Sequence, residues 1–466
     1  MDIATKVKRG GKVLAMRQVT YMGLSFANTM VIARMLGPVN YGIASITLNY
    51  FFFVFWFADL GTGDYIVKEQ EISDDALRSL ASLHLVLGIV LAALFSLAAP
   101  ILAWASTQPE ITPLVRCVSI ALLFELLASF SINLMRRELD FAYVGGIEML
   151  CQVFIYTTSL TLVFLGASYW APIIGLMVGS LSKFILAYRK APYPISLYLK
   201  KQYLKPALNF GLRVSGAQAL SNLKVLLVPL GVTPILGIGA AGIINLTVRL
   251  TQQLSLLRQV TRFMSLGVLS KFATDKERLA RVTSKGMAYQ ALMIGPALAL
   301  FAVFSTWLIP LVFGEEWFVS AKLFPAVALA FVILSVFDLH ITILKLYEKL
   351  GAIALHFLAY FLLLYSTACL GMYLFGIWGY IIGQLFSTLS VFVLLRYTHR
   401  VLTGIDYSKA FGIVLFSAIP LVASVFMKPI PTFVVYIVSM TMLFIFSKTS
   451  REIVVEVLRS AKPTHS

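Results

Sequence analysis

Long apolar runs separated by short polar turns occupy the chain from residue 13 to residue 446. A helix needs ~20 apolar residues to cross ~30 Å of hydrocarbon, and by that measure the chain crosses a bilayer about fourteen times. The predicted spans are 13–36, 41–67, 79–104, 112–135, 142–165, 170–188, 207–230, 236–266, 287–313, 321–344, 352–375, 378–397, 410–427 and 432–446. On one side the turns are very short, among them GPVN, GASYW, GVTPI, GEEWFVS and KPIP. On the other side two connections are longer, 189–206 and 267–286. The first falls between the sixth and seventh spans. The pattern therefore predicts an all-α polytopic membrane protein with an N-terminal six-helix bundle (1–188), a linker (189–206), a C-terminal six-helix bundle (207–400), an extra helix pair (401–447) and a tail (448–466).

An internal repeat supports the division. LGPVNYGIASITLNY, from Leu36, aligns without gaps on LGIGAAGIINLTVRL, from Leu236, pairing Leu36, Gly37, Gly42, Ile43 and Thr47 with Leu236, Gly237, Gly242, Ile243 and Thr247. Gln18 falls over Gln218 in the same register. Each copy is the turn between the first and second helix of a half, as in transporters built from parallel repeats.

Composition agrees with the membrane reading: 59% of residues are hydrophobic, 13% are charged and the mean hydropathy is +0.87. The net charge of +17 is spread over short loops, with no basic domain and no aromatic stacking platform, so a nucleic-acid partner is not expected. The cations sort to one side. Lys6, Lys8, Arg9, Arg136, Arg137, Arg189, Lys190, Lys200, Lys201, Lys276, Arg278, Arg400 and Lys448 fall on the side of the longer loops, whereas the opposite turns carry Lys428. By the positive-inside rule both ends are cytoplasmic, and the expected location is a bacterial inner membrane. Cys117, Cys151 and Cys369 lie in apolar stretches and read as small buried hydrophobes. There is no GxxxxGK[ST] loop, no HExxH and no close pair of histidines, so neither an ATP-driven motor, a metal site nor another cofactor is expected. The short outer turns offer no extracytoplasmic platform for catalysis, and an enzyme is not expected.

Charges inside spans carry the functional signal. Arg17, Arg34, Arg116, Lys183, Arg213, Lys224, Arg249, Arg258, Arg262 and Lys322 lie in or at the margins of spans, against Asp59, Glu125, Glu148 and Asp338. A charge at mid-bilayer costs ~2.5–3.5 kcal/mol even on the lenient insertion scale, so it must reach water, a partner or the interface. Snorkelling accounts for cations near span ends. The eighth span is different: Asn245, Arg249, Gln252, Ser255, Gln259 and Arg262 share an arc of roughly 140°, opposite an apolar face. Milder polar faces occur on the first span (Gln18, Tyr21, Ser25, Asn28) and the seventh (Gln218, Ser221, Asn222, Lys224). These residues point to a wet cationic cavity between the halves, with Arg249 and Lys224 deepest. For Asp59, Glu125, Glu148 and Asp338 two readings stand, binding of a coupling cation or pairing with an intramembrane arginine or lysine.

ARMLGPVNYG at Ala33 to Gly42, FADLG at Phe57 to Gly61 and FGEEW at Phe313 to Trp317 resemble the polysaccharide transporter family of lipid-linked oligosaccharide flippases, which includes O-antigen and exopolysaccharide exporters. The resemblance implies the fold of the multidrug/oligosaccharidyl-lipid/polysaccharide superfamily: two pseudo-symmetric six-helix bundles around a central cavity that opens alternately to each side. It also implies a polyprenyl-diphosphate-linked oligosaccharide as substrate, membrane lipids as surroundings, and glycan polymerases or glycosyltransferases as partners. The chain is similar too to the lipid II flippase, in which cavity arginines meet the diphosphate and an extra C-terminal helix pair forms a groove for the lipid tail. A diphosphate needs cations that hydrogen-bond as well as neutralise, which Arg and Lys supply. Coupling would come from an H+ or Na+ gradient or from the membrane potential, worth ~2.3 kcal/mol per charge per 100 mV. Two alternatives compete. A multidrug-type cation antiporter should line its cavity with carboxylates, and a non-transporting scaffold of a glycan synthesis complex needs no polar stripe.

Topology is testable first. A cysteine placed within 314–320 should react with a membrane-impermeant maleimide in intact cells, whereas one within 189–206 should react only in inverted vesicles. Labelling of the 189–206 linker from outside would overturn the assignment of sides.

Overall fold

The computed structural model describes residues 3–58, 61–69, 72–255, 258, 265, 267, 269–447, 450–453 and 455, with side chains from Gly23 onward except at 64, 213–215, 217 and 218. The first compact unit, Met1–Gly242, holds helices α1 (Ile3–Ala58), α2 (Thr62–Lys68), α3 (Asp74–Ala105), α4 (Ile111–Arg137), α5 (Phe141–Phe164), α6 (Trp170–Lys190), α7 (Lys201–Asn222) and α8 (Thr233–Leu236). Helix α9 (Ile238–Leu254) leads into the second unit, Ile243–Ser466. There follow α10 (Lys276–Phe313), α11 (Phe318–Val336), α12 (Asp338–Leu346), α13 (Leu350–Phe375), α14 (Trp378–Ser387), α15 (Val391–Val401), α16 (Ser408–Phe426) and α17 (Pro429–Phe446). Among the described residues there is no strand.

Twelve helices among the described residues are long and apolar enough to cross a membrane. The difference from fourteen has local causes. The first two expected spans both fall within α1, which is two helices joined at a non-helical Gly37, and α9 is described as a helix only to Leu254. The second span also stops earlier than expected. Gly61 takes a left-handed conformation (φ 63°) at the N-cap of α2, so the FADLG motif is a helix break rather than helix interior.

Within each unit, several helix ends are capped or charge-matched. Ser73, Asp140 and Asp275 cap α3, α5 and α10 by accepting from the backbone N–H of Ala76, Tyr143 and Arg278. Arg136 and Arg137, Arg189 and Lys190, and His399 and Arg400 occupy the last turns of α4, α6 and α15. There they face the negative ends of the helix dipoles. Between α6 and α7 the linker is extended, and α3 and α4 hold it: the Ser131 hydroxyl donates to the Ala191 carbonyl (2.8 Å) and the Tyr193 hydroxyl to the Leu127 carbonyl (3.0 Å). Ser82 donates to the Ser196 carbonyl (2.5 Å) and accepts from the Tyr198 N–H (2.9 Å).

The sequence repeat is also a structural one. Gly37 (φ 65°, ψ 175°) and Gly237 (φ 84°, ψ 172°) adopt the same backbone conformation, one a side chain would strain. Ten residues on in each copy, Thr47 and Thr247 donate to the Ile43 and Ile243 carbonyls at 3.0 and 2.8 Å. The two turns also meet. A Cβ on Gly42 would lie 2.4 Å from the Ile238 carbonyl oxygen, and a Cβ on Gly242 would lie 2.0 Å from that of Pro38. Only glycine allows this reciprocal backbone contact.

Gly242→Val should therefore cost about 3 kcal/mol or more through overpacking, read as loss of a monodisperse peak in detergent and a lowered thermal midpoint. Gly239→Ala, whose new Cβ would sit 3.7 Å from Val39 Cγ2, should behave like the parent. Equal tolerance of both substitutions would show that the turns do not pack in this way.

Candidate functional site

Helix α9 sets out a polar face. Asn245 and Arg249 are half-buried and Gln252 is exposed, while Leu246, Thr247, Leu250 and Thr251 on the other side are buried. Thr247 secures the buried side by a 2.7 Å hydrogen bond to Ser320. Among the described residues Arg249 has no carboxylate partner. It is thus a half-buried cation on the polar face of α9, with its guanidinium donors available to a ligand or water.

Arg258, four residues past the end of α9, is committed differently. Its Nε and Nη2 donate to both oxygens of Asp338, at 2.5 and 2.9 Å, and its guanidinium stacks over the Phe331 ring at 4.3 Å. The amide of Gln290 on α10 adds a third donor to Asp338 at 3.2 Å. Asp338 is only 4% exposed. Three donors satisfy a carboxylate that would otherwise be prohibitively costly in hydrocarbon. In the first unit Lys183 pairs with Glu125 at 2.8 Å, supported by the Ser180 hydroxyl at 3.0 Å. Nearer the surface Arg136 pairs with Glu148 at 3.3 Å.

The other expected site residues are dispersed. Lys224 is exposed, on a 3-10 turn, Leu223–Leu226, that follows α7; Asn222 just before it is half-buried. Asn28 on α1 is half-buried, and its side-chain oxygen is enclosed without a hydrogen-bond partner. Asp59, Gln259 and Arg262 lie outside the described residues, as do the side chains of Gln18 and Gln218. The sequence reading did not single out Gln290, although it stands alone as an amide in an otherwise apolar stretch of the ninth span. Its role becomes visible only once α10 packs beside α12.

Twelve of the described helices are thus long and apolar enough to cross a membrane, and among the described residues Glu125 and Asp338 are paired while Arg249 has no carboxylate partner. The family profile described as "Polysaccharide biosynthesis protein" matches residues 31–322, and the chain belongs to that family. It is 26% identical over 325 residues to the lipopolysaccharide biosynthesis protein WzxC of Escherichia coli (strain K12), covering 68% of this chain and 65% of that one. To the succinoglycan biosynthesis transport protein ExoT of Rhizobium meliloti (strain 1021) it is 22% identical over 301 residues, covering 63% and 60%. The match thus spans less than two thirds of either relative's length. In fold, the chain is similar to the lipid II flippase MurJ in an inward closed conformation, with a TM-score of 0.70 at 15% identity over 93% of this chain and 98% of that one. It is also similar to an inward-facing multidrug resistance transporter of the MATE family, with a TM-score of 0.68 at 14% identity over 82% and 94%.

The buried pair gives a stability prediction. Asp338→Ala should destabilise the protein by roughly 3–5 kcal/mol, because it leaves Arg258 uncompensated, whereas the double variant Asp338→Leu with Arg258→Leu should recover most of that loss. Thermal unfolding in detergent measures both. Additive losses in the double variant would show that the two side chains are not coupled.

Proposed function

We propose that the protein is a flippase that carries a polyprenyl-diphosphate-linked oligosaccharide from the inner to the outer leaflet of the bacterial cytoplasmic membrane, by alternating access through a cationic cavity. Arg249 carries this reading: it is a half-buried cation on the polar face of a membrane helix, without a carboxylate partner among the described residues. Its planar fork suits a diphosphate oxygen pair. Asn245, Gln252, Asn222 and Lys224 extend the polar path, and the expected contributions of Gln18, Gln218, Gln259 and Arg262 belong to the same proposal.

Family membership supports a role in polysaccharide biosynthesis, and the names of the relatives support transport as the form it takes. The topology proposed with it has cytoplasmic termini, six-helix bundles at 1–188 and 207–400, and a C-terminal pair at 401–447. The membrane potential supplies a driving force, since a negative headgroup moving outward gains ~2.3 kcal/mol per charge per 100 mV with the interior negative. The antiporter alternative is disfavoured on a specific ground. Glu125 and Asp338 already hold Lys183 and Arg258, so neither is left to receive an organic cation.

Arg249→Ala should fold and insert normally yet reduce flipping of lipid-linked oligosaccharide in proteoliposomes roughly 10- to 100-fold, the worth of a charge-assisted hydrogen bond. Arg249→Lys should keep part of the activity, since it retains the charge and loses the fork. Normal flipping and binding by Arg249→Ala would remove the basis of the proposal.

A further inference from the structure

A polar cavity lies within the first unit, beside the start of α7. It encloses about 730 Å³ and is lined by Tyr65 and Glu69 from α2 and its C-cap, Ser73 at the N-cap of α3, Arg137 at the end of α4, and Gln202 and Tyr203 at the start of α7. Its volume falls within the ~300–1,000 Å³ of small-molecule sites. Leu80 and Pro206 supply an apolar floor.

The lining narrows the ligand. A phosphate group would meet the Glu69 carboxylate, which stands in the lining beside Arg137. An organic cation would meet Arg137. An apolar ligand would strip water from six polar side chains without replacing their hydrogen bonds. What remains is a neutral molecule that both donates and accepts hydrogen bonds along its edge and offers an apolar C–H face to a ring. Glu69 accepts, Arg137 and Gln202 donate, and the hydroxyls of Tyr65, Tyr203 and Ser73 do either. Two tyrosine rings stand on separate elements to take the apolar face.

We propose that this cavity binds pyranose rings of the glycan at the cytoplasmic face, before translocation. The source of the glycan rests on the flippase reading, whereas the chemistry of the cavity does not.

The test uses the full chain with Gln202→Cys, an exposed position on the rim, in inverted membrane vesicles. Modification by an impermeant maleimide is timed, with the parent giving the background from Cys117, Cys151 and Cys369. Three probes are compared: lipid-linked oligosaccharides extracted from cells that make the protein, the free glycan released from them by mild acid, and polyprenyl diphosphate without sugar. The free glycan and the intact lipid should both slow modification, and the bare lipid should not. Adding Tyr203→Ala should raise the glycan concentration needed by about tenfold or more, whereas Tyr203→Phe, which keeps the ring and loses only the hydroxyl, should raise it by a smaller factor. Failure of the free glycan to protect, or equal protection by bare polyprenyl diphosphate, overturns the proposal. The two readings separate cleanly. Protection by glycan in a protein that does not flip the extracted lipids would sustain the cavity and end the flippase reading; flipping without protection would do the reverse.

Discussion

In hydrocarbon every backbone N–H and C=O must find its partner within the protein, and the rest of this structure follows from that constraint. Helices satisfy it, and among the described residues the chain is helix or short turn almost throughout. Where proline interrupts the ladder, the repair is local. Around Pro229 and Pro234 the backbone widens into a π turn, Val228–Val232, and the Thr233 hydroxyl donates to the Val228 carbonyl at 2.9 Å.

The same scarcity of water governs the charges. A lone carboxylate or ammonium in this environment would cost several kcal/mol, and the buried ones accordingly occur in sets: Lys183 with Glu125 and Ser180, and Asp338 with Arg258 and Gln290. These sets explain why an excess of cations over carboxylates is informative. Once the pairs are subtracted, Arg249 is half-buried without a carboxylate partner among the described residues, and such a cation must be hydrated or must hold an anion. Stability and function therefore draw on one inventory of charges, divided by whether a partner is fixed in the fold or arrives as substrate.

Glycine does a comparable double duty in the repeated turn. Gly37 and Gly237 interrupt the helix in a conformation that side chains rarely adopt, and five positions later Gly42 and Gly242 let the two segments touch backbone to backbone. The spacing that made the repeat visible is thus the spacing the contact needs. Duplication of the sequence left a reciprocal contact because each copy supplies the small residue that the other packs against.

Periodicity and composition determined the helical architecture, the turn at each repeat and the polar face with Arg249, since each of these depends on residues close together along one helix or loop. The family motifs were legible for the same reason, as local turns. Pairing was not. Arg258 and Asp338 are 80 positions apart and Lys183 and Glu125 are 58 apart, so no helical period links them, and only the packing of helices decided that Asp338 and Glu125 would hold arginine and lysine. Nor could the sequence show that Gln290 completes the Asp338 set, that Gly61 ends a helix drawn as continuous, or that Tyr65, Arg137 and Tyr203 close around one cavity. Those facts arise where separate elements converge, and convergence is set by the shapes of side chains across a helix interface rather than by their order along the chain.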